Sequence, residues 1–389
     1  MERHDTPQVK LTRGDFHDAS FFFSSAKHTL VGQGVKTAVN EVIAFEQLAS
    51  QAQQLLTSAQ TDEQDNPVLF GVIPFDQSFP TKLLIPNHLT FAKRCSTQTE
   101  AQISRNPASI ISKPSGDHYR QGVSQLVAHF GHSSLDKAVL SRALDVEAKE
   151  SIDRFALLNN LLSINQTGYT FSVQTGDNTF LLGASPELLI AKQGAQIVSN
   201  PLAGSRPKAD DEAQNQRLSD DLLATDKDRH EHALVVDEIE KVLSSYCAPL
   251  HCPKQPSVIK TNTMLHLSTR LDGQLSDPST HVLQLASQLH PTPAVCGFPR
   301  HEAYQAIKLL EGFDRGYFTG MVGWCDAKGN GEWVVTIRCA EVNERKMRLF
   351  AGAGIVNQSN PQAELEETAA KMQTIVNAAG LSISEPLIA

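Results

Sequence analysis

The tetrapeptide Lys328-Gly329-Asn330-Gly331 separates two apolar runs, Phe318 to Cys325 and Glu332 to Ala340. An Asn-Gly pair tolerates the left-handed backbone that a tight turn between strands demands, so this stretch commits the chain to at least one hairpin. A second is expected in Tyr169 to Lys192, where Gly-Asp-Asn divides two strand-like runs. Leu135 to Ser141 reads as a further strand, with Lys137 on the face opposite Ala138. Val68 to Phe75, Lys82 to Pro86 and Thr261 to Leu271 also read as strands, the last with His266 in its middle. Thr37 to Gln60 and Asp117 to Phe130 read as helices, while Asp62 to Asn66 and Ser104 to Ser115 have the composition of surface loops.

With 34 basic against 43 acidic residues, a net charge of -9, the chain lacks the basic surface that nucleic acid requires. The charged start, MERHDTPQVK, has no apolar signal region, and no apolar run approaches the ~20 residues of a membrane span, so a cytoplasmic protein is expected. A length of 389 residues with 40% hydrophobic side chains provides ample core for two or three average domains or one large one. Cys247, His251 and Cys252 suggest a zinc corner, but no second pair follows, and the six cysteines read as reduced, mostly buried thiols. Gly352 and Gly354 in FAGAGIV lack the third glycine of a dinucleotide fingerprint. No internal repeat or low-complexity tract is present.

The chemistry concentrates in acidic pairs. On a helix over Asn360 to Lys371, Glu364, Glu367 and Lys371 share one face. Asp228 and Glu231 stand three apart on another helix. Either pair alone reads as a solvated face; together they would make an oxygen-rich cage of the kind Mg²⁺ prefers. His230 and His232, two apart on that helix, diverge, and read as structural or as supports of a ligand rather than as transition-metal ligands. Lys137 reads as a solvated edge residue or as a pocket base, and alone does not decide. Glu187, set between Leu182 and Leu188, reads as a turn acid or as a carboxyl that resists ionisation and donates a proton. Ala203, Gly204 and Ser205 would let backbone N–H groups approach an anion, and Arg338, alternating with Val335 and Ile337, would need a fixed anion if buried.

In order along the chain, LDKAVLSR, LLGASPELL, NPLAGS, DRHEH, HLST, LHPTPAVCGFPR, GWCDAKGNGEWVVTIRCA and FAGAGIV resemble the chorismate-utilising enzymes, most closely the isochorismate synthases of siderophore pathways. The likeness is dense from about Leu135 to Leu381 and looser earlier, for example at GVIPFD and LLIP, and it implies a catalytic core of residues 116–381 after a less clearly matched portion, 1–115. It implies an α/β (α+β) fold, two packed antiparallel sheet layers flanked by helices in one large domain spanning 1–389. The implied reaction adds water at C2 of chorismate and expels the C4 hydroxyl, feeding catechol (2,3-dihydroxybenzoate) siderophore synthesis. Lys137 matches the base and Glu187 the acid. Glu231 and Glu367 match direct Mg²⁺ ligands, with Asp228 and Glu364 acting through the ion's waters. Arg338, Lys371 and the backbone around Gly204, Ser205, Gly352 and Gly354 match substrate-binding groups, and His266 and Phe318 line the pocket. Lys137 implies water rather than ammonia as nucleophile, hence no glutaminase subunit; a monomer in transient contact with a downstream isochorismatase is implied. Ala294 stands where salicylate synthases tend to carry threonine, which favours an isomerase over the alternative that also eliminates pyruvate. A menaquinone-pathway isochorismate synthase is the other alternative within the family. A silent chorismate-binding protein is disfavoured because both the acid and the base positions are filled.

Overall fold

The structure, a computed structural model, describes residues 12–17, 19–95 and 105–388. The charged first ten residues and Ser104 lie outside the described residues. The strands form an eleven-stranded sheet, a nine-stranded sheet and a small three-stranded one. Among the described residues every pairing is antiparallel except that of Asn106–Lys113 with Leu381–Ile383.

Two-residue periodicity explains how the large sheets meet. In the strand Ala19–Ser24, Phe21 and Phe23 point one way and Phe22 the other. Phe21 and Phe23 join Phe171 of the same sheet against Phe70, Val72 and Val322 of the other, and the Phe21 and Phe70 rings stack with centroids 4.3 Å apart. Phe22 instead packs with Leu161 and Ile375 from the helices Arg154–Ile164 and Pro361–Ala378. The outer face of the smaller sheet is covered by Leu48–Ala59, Asp226–Ser244 and Val282–Leu289. Each such buried Phe or Leu stabilises by roughly 1.5–3 kcal/mol over exposure, so the stacked layers rather than any single contact hold the fold. The result is the implied architecture of two sheets flanked by helices.

Three sequence expectations need correction. Thr37–Glu41 is not helical but an edge strand on Thr81–Ile85, and the helix begins only at Leu48; a ladder partner overrides the polar composition. Within Ser104 to Ser115, Asn106–Lys113 is likewise a strand, held by Lys137–Ala148. The run Glu332 to Ala340 is two strands, Gly331–Val335 in the smaller sheet and Cys339–Asn343 in the larger. Arg338 sits in the break with φ 49°, a left-handed conformation that ends the alternation.

The chain crosses between the large sheets several times, for example from Gln33 to Thr37 and from Ile85 to His88, and that break is one of two crossings that lie side by side. Phe180–Ser185 belongs to the larger sheet and Leu188–Gln193 to the smaller, so Glu187 lies in the other. The crossings are neighbours, because Gly183 pairs with Cys339 on one side and Leu188 with Val334 on the other. A third departure follows, where Gln196–Asn200 leaves the smaller sheet for Leu202–Pro207 in the three-stranded one.

Candidate active site

A cavity opens where these departures converge. Glu187, Gly204, Ser205, Glu231, His266, Ala294, Phe318, Arg338, Gly352, Gly354, Glu367 and Lys371 all line it. Lys137, Asp228 and Glu364 stand behind that lining. Lys137 is fully buried in the strand Lys137–Ala148, with Nζ 3.1 Å from Glu231 Oε1 and no hydrogen-bond partner of proper geometry. The adjacent strand Lys346–Ile355 brings Gly354 against this pair, and a Cβ there would collide with Glu231 Oε1. Gly354 is thus required for space, whereas Gly204, at φ 76°, is required by its backbone as well.

The four candidate metal carboxylates gather in one region, but each holds a basic side chain. Glu231 meets Lys137, Glu367 Oε1 lies 2.6 Å from Lys371 Nζ, Asp228 2.6 Å from Arg206, and Glu364 2.7 Å from Lys227. Carboxylates crowded in a low-dielectric interior repel, and the cations offset that repulsion. Among the described residues no three His, Cys, Asp or Glu side chains already stand as a closed metal cage. Their mutual influence is nevertheless direct. Burial alone would lower the Lys227 pKa, yet Glu364, Glu231 and Glu367 together raise it. Burial and the neighbouring Glu367 push Glu364 up to about 7. Burial would raise Glu231, but Lys137, Lys227 and Lys371 hold it below the usual carboxylate range. Lys371 also donates to the Gly352 carbonyl at 2.8 Å, so helix Pro361–Ala378 is pinned to the glycine strand.

Glu187 has the environment of a proton donor. Burial pushes its pKa up to about 7, against the opposing pull of a Leu202 backbone hydrogen bond and of Lys137, Lys371 and Arg338. Arg338, fully enclosed, donates from Nη2 to His266 Nε2 at 3.0 Å. A guanidinium only donates, so Nε2 accepts and the His266 proton sits on Nδ1, directed at Ser205 Oγ 2.8 Å away. Burial and the cations Arg338 and Lys371 keep this imidazole neutral, well below its ordinary pKa. The Ser205 hydroxyl proton is thereby left to point elsewhere, with the cavity beside it.

His232 is buried 2.8 Å from Thr269 Oγ1 and His230 is exposed, consistent with structural roles. Cys247, Cys252, Cys296, Cys325 and Cys339 are free thiols. Sequence reasoning missed Thr319, Ile337 and Phe350 in the lining, and Arg206 and Lys227 as partners of the acids. Lys227 and Arg206 carried a usable signal, since each is a basic residue next to a singled-out motif; Thr319 and Phe350 carried none, because only the crossing of sheets brings them in.

A family model for chorismate binding enzymes matches residues 80–380, and the chain belongs to that family. Within it, the chain is 56% identical to the vibriobactin-specific isochorismate synthase of Vibrio cholerae, over 98% of its own length and 95% of that protein's. It is 43% identical to the isochorismate synthase DhbC of Bacillus subtilis, over 94% and 95% of the two chains. A crystal structure described as the 2,3-dihydroxybenzoate-specific isochorismate synthase DhbC of Bacillus anthracis superposes with a TM-score of 0.88 at 43% identity, covering 94% of this chain and 97% of that one. The resemblance read from the motifs is borne out.

Proposed function

We propose that this chain is an isochorismate synthase, an isomerase that moves a hydroxyl of chorismate from C4 to C2 in a siderophore pathway. The observation that carries the residue roles is a buried acid pushed up to about 7, Glu187, in the lining of the cavity, with a buried lysine without a hydrogen-bond partner of proper geometry, Lys137, acting on it from behind that lining. Lys137 takes a proton from water as its oxygen attacks C2. The two conjugated ring double bonds each shift by one position, and the C4 oxygen leaves with the proton of Glu187. One water enters and one leaves, so atoms and charge balance.

The substrate is a dianion and the protein is acidic, so binding needs local positive charge. Arg338 and Lys371 supply part of it, and the Ser205 hydroxyl and the backbone near Gly204 and Gly352 add donors. The candidate metal donors are all carboxylate oxygens, which fits a hard divalent ion, and Glu231 and Glu367 would hold it, with Asp228 and Glu364 behind them. When bound, Mg²⁺ neutralises the substrate's ring carboxylate. The water nucleophile needs no ammonia-delivering subunit. Incubating the purified protein with chorismate and Mg²⁺ and separating the products by chromatography tests the reading. Isochorismate alone supports it; salicylate with pyruvate, or unchanged chorismate, overturns it.

A further inference from the structure

One buried ion pair is not used by this mechanism. Glu311 and Arg315 are each about 2% exposed and joined through one guanidinium edge and both carboxylate oxygens, Nε donating to Glu311 Oε2 at 2.8 Å and Nη2 to Oε1. Neither lines the cavity. Their remaining bonds are unusual in where they end.

One edge of the strand Lys137–Ala148 is fully paired with Lys346–Ile355. The opposite edge has two partial partners: Gly297–Phe298 covers Lys137 and Ala138, and Asn106–Lys113 covers Ala143 to Ala148. Between them the segment leading into Gly297–Phe298 reaches only the Val139 N–H, which donates to the Cys296 carbonyl at 2.8 Å, and among the described residues no strand reaches the Val139 carbonyl or the Ser141 N–H. The ion pair does. Arg315 Nη2 donates to the Val139 carbonyl at 2.8 Å, and Glu311 Oε1 accepts from the Ser141 N–H at 2.7 Å. An acceptor and a donor, joined to each other, thus stand where a neighbouring strand would place its C=O and N–H. The other guanidinium arm donates to the Val295 carbonyl at 2.7 Å and to Thr319 Oγ1 at 3.1 Å. Val139, Val295 and Thr319 all face the cavity, and Thr319 holds a left-handed φ of 59°.

We infer that Glu311 and Arg315 are positioning residues that stand in for a missing strand and aim Lys137. They fix the backbone two and four residues beyond the lysine, on the side where the sheet would otherwise be open. This rests on the reading of Lys137 as the base, and it predicts an effect on turnover rather than on substrate capture, because the pair touches the lysine's strand while Arg338 and Lys371 are held elsewhere. A misplacement on the order of an ångström is enough to cost about 100-fold in rate.

The test compares Arg315→Lys and Glu311→Gln with the parent enzyme, per folded molecule as judged by near-ultraviolet circular dichroism. Arg315→Lys is expected to lower kcat by about 100-fold with KM for chorismate within about threefold. Glu311→Gln keeps an acceptor for Ser141 and is expected to lose less, but to speed amide exchange in a peptide spanning residues 137–143. Normal kcat per folded molecule in both variants, or a raised KM with unchanged kcat, overturns the inference. If Arg315→Lys does not fold, Glu311→Gln decides by the same two readouts. Lys137→Ala separates the layers: a dead Lys137→Ala beside a normal Arg315→Lys removes only the positioning role, whereas an active Lys137→Ala removes the base itself.

Discussion

Glu187 and Arg338 occupy adjacent crossings between the two large sheets, and their backbones lock each other in place. Ala184 N–H donates to the Arg338 carbonyl at 3.0 Å and Val335 N–H to the Glu187 carbonyl at 3.2 Å. Acid and guanidinium therefore sit on covalent bridges between packed layers, not on free loops, and their spacing is as rigid as the core beneath them. Burial in this position raises Glu187 and lowers Arg338 to about 10, with Glu367 and Glu187 restoring part of the arginine's charge preference.

The pH dependence follows from Glu187. A proton donor works while protonated, and the pKa of Glu187 in the folded protein, about 7, is above the ordinary value of 4.5. Activity is present below that value and falls as pH rises through it. A kcat/KM profile measured from pH 5.5 to 9 is expected to show a descending limb near neutrality, since this parameter reports the free enzyme. A flat profile across that range counts against Glu187 as the acid.

Lys137→Ala is expected to lower kcat by about 10²- to 10⁴-fold, the contribution of a positioned base. Because Lys137 stands behind the cavity lining, KM should change little. Lys227 and Lys371 still act on Glu231 in this variant, so the carboxylate is not left without cations and the fold should survive. Steady-state kinetics with a melting curve check both parts; wild-type turnover would remove the lysine from the mechanism.

Glu367→Gln addresses the metal. Glu367 reaches the cavity and is paired with Lys371, so the amide loses a ligand charge while keeping the shape. The Mg²⁺ concentration for half-activation is expected to rise by roughly 10- to 100-fold, and calorimetric titration of Mg²⁺ into the protein should show the same weakening. An unchanged titration would contradict the assignment of Glu367 as a ligand.

The extent to which the site was legible in the sequence follows from what each residue depends on. Asp228 with Glu231 and Glu364 with Glu367 are three apart on helices, and helical geometry alone put each pair on one face. Lys137 was recognisable as a strand residue, but its burial was not, because that depends on Glu311, Arg315 and the short strand Gly297–Phe298, all far along the chain. Arg338 was misread as part of a continuous strand, since Val335, Ile337 and Cys339 keep an apolar pattern while the backbone changes sheet. Thr37–Glu41 and Asn106–Lys113 failed for a related reason: a strand at or near the edge of a sheet is specified by its partner more than by its own composition. Local periodicity carried the acidic pairs; tertiary pairing carried the rest.

Gly354 offers the sharpest test that the buried pair is held by space rather than by torsion. Its φ is not left-handed, so alanine is allowed by the backbone, yet the added methyl would collide with Glu231 Oε1 and approach Lys137 Cε to 2.9 Å. Overpacking of this kind costs about 1–3 kcal/mol, and displacement of the carboxylate and lysine should lower kcat by about 100-fold. Gly176→Ala is the matched control: its new methyl meets nothing nearer than Thr179 Cβ at 3.4 Å, ordinary contact, and no left-handed φ is involved. Kinetics and thermal melts on both variants are expected to separate them, with Gly354→Ala impaired in rate and Gly176→Ala near the parent. Equal behaviour of the two would mean that Glu231 and Lys137 can move aside at little cost, and that the glycine strand does not fix the geometry of this buried pair.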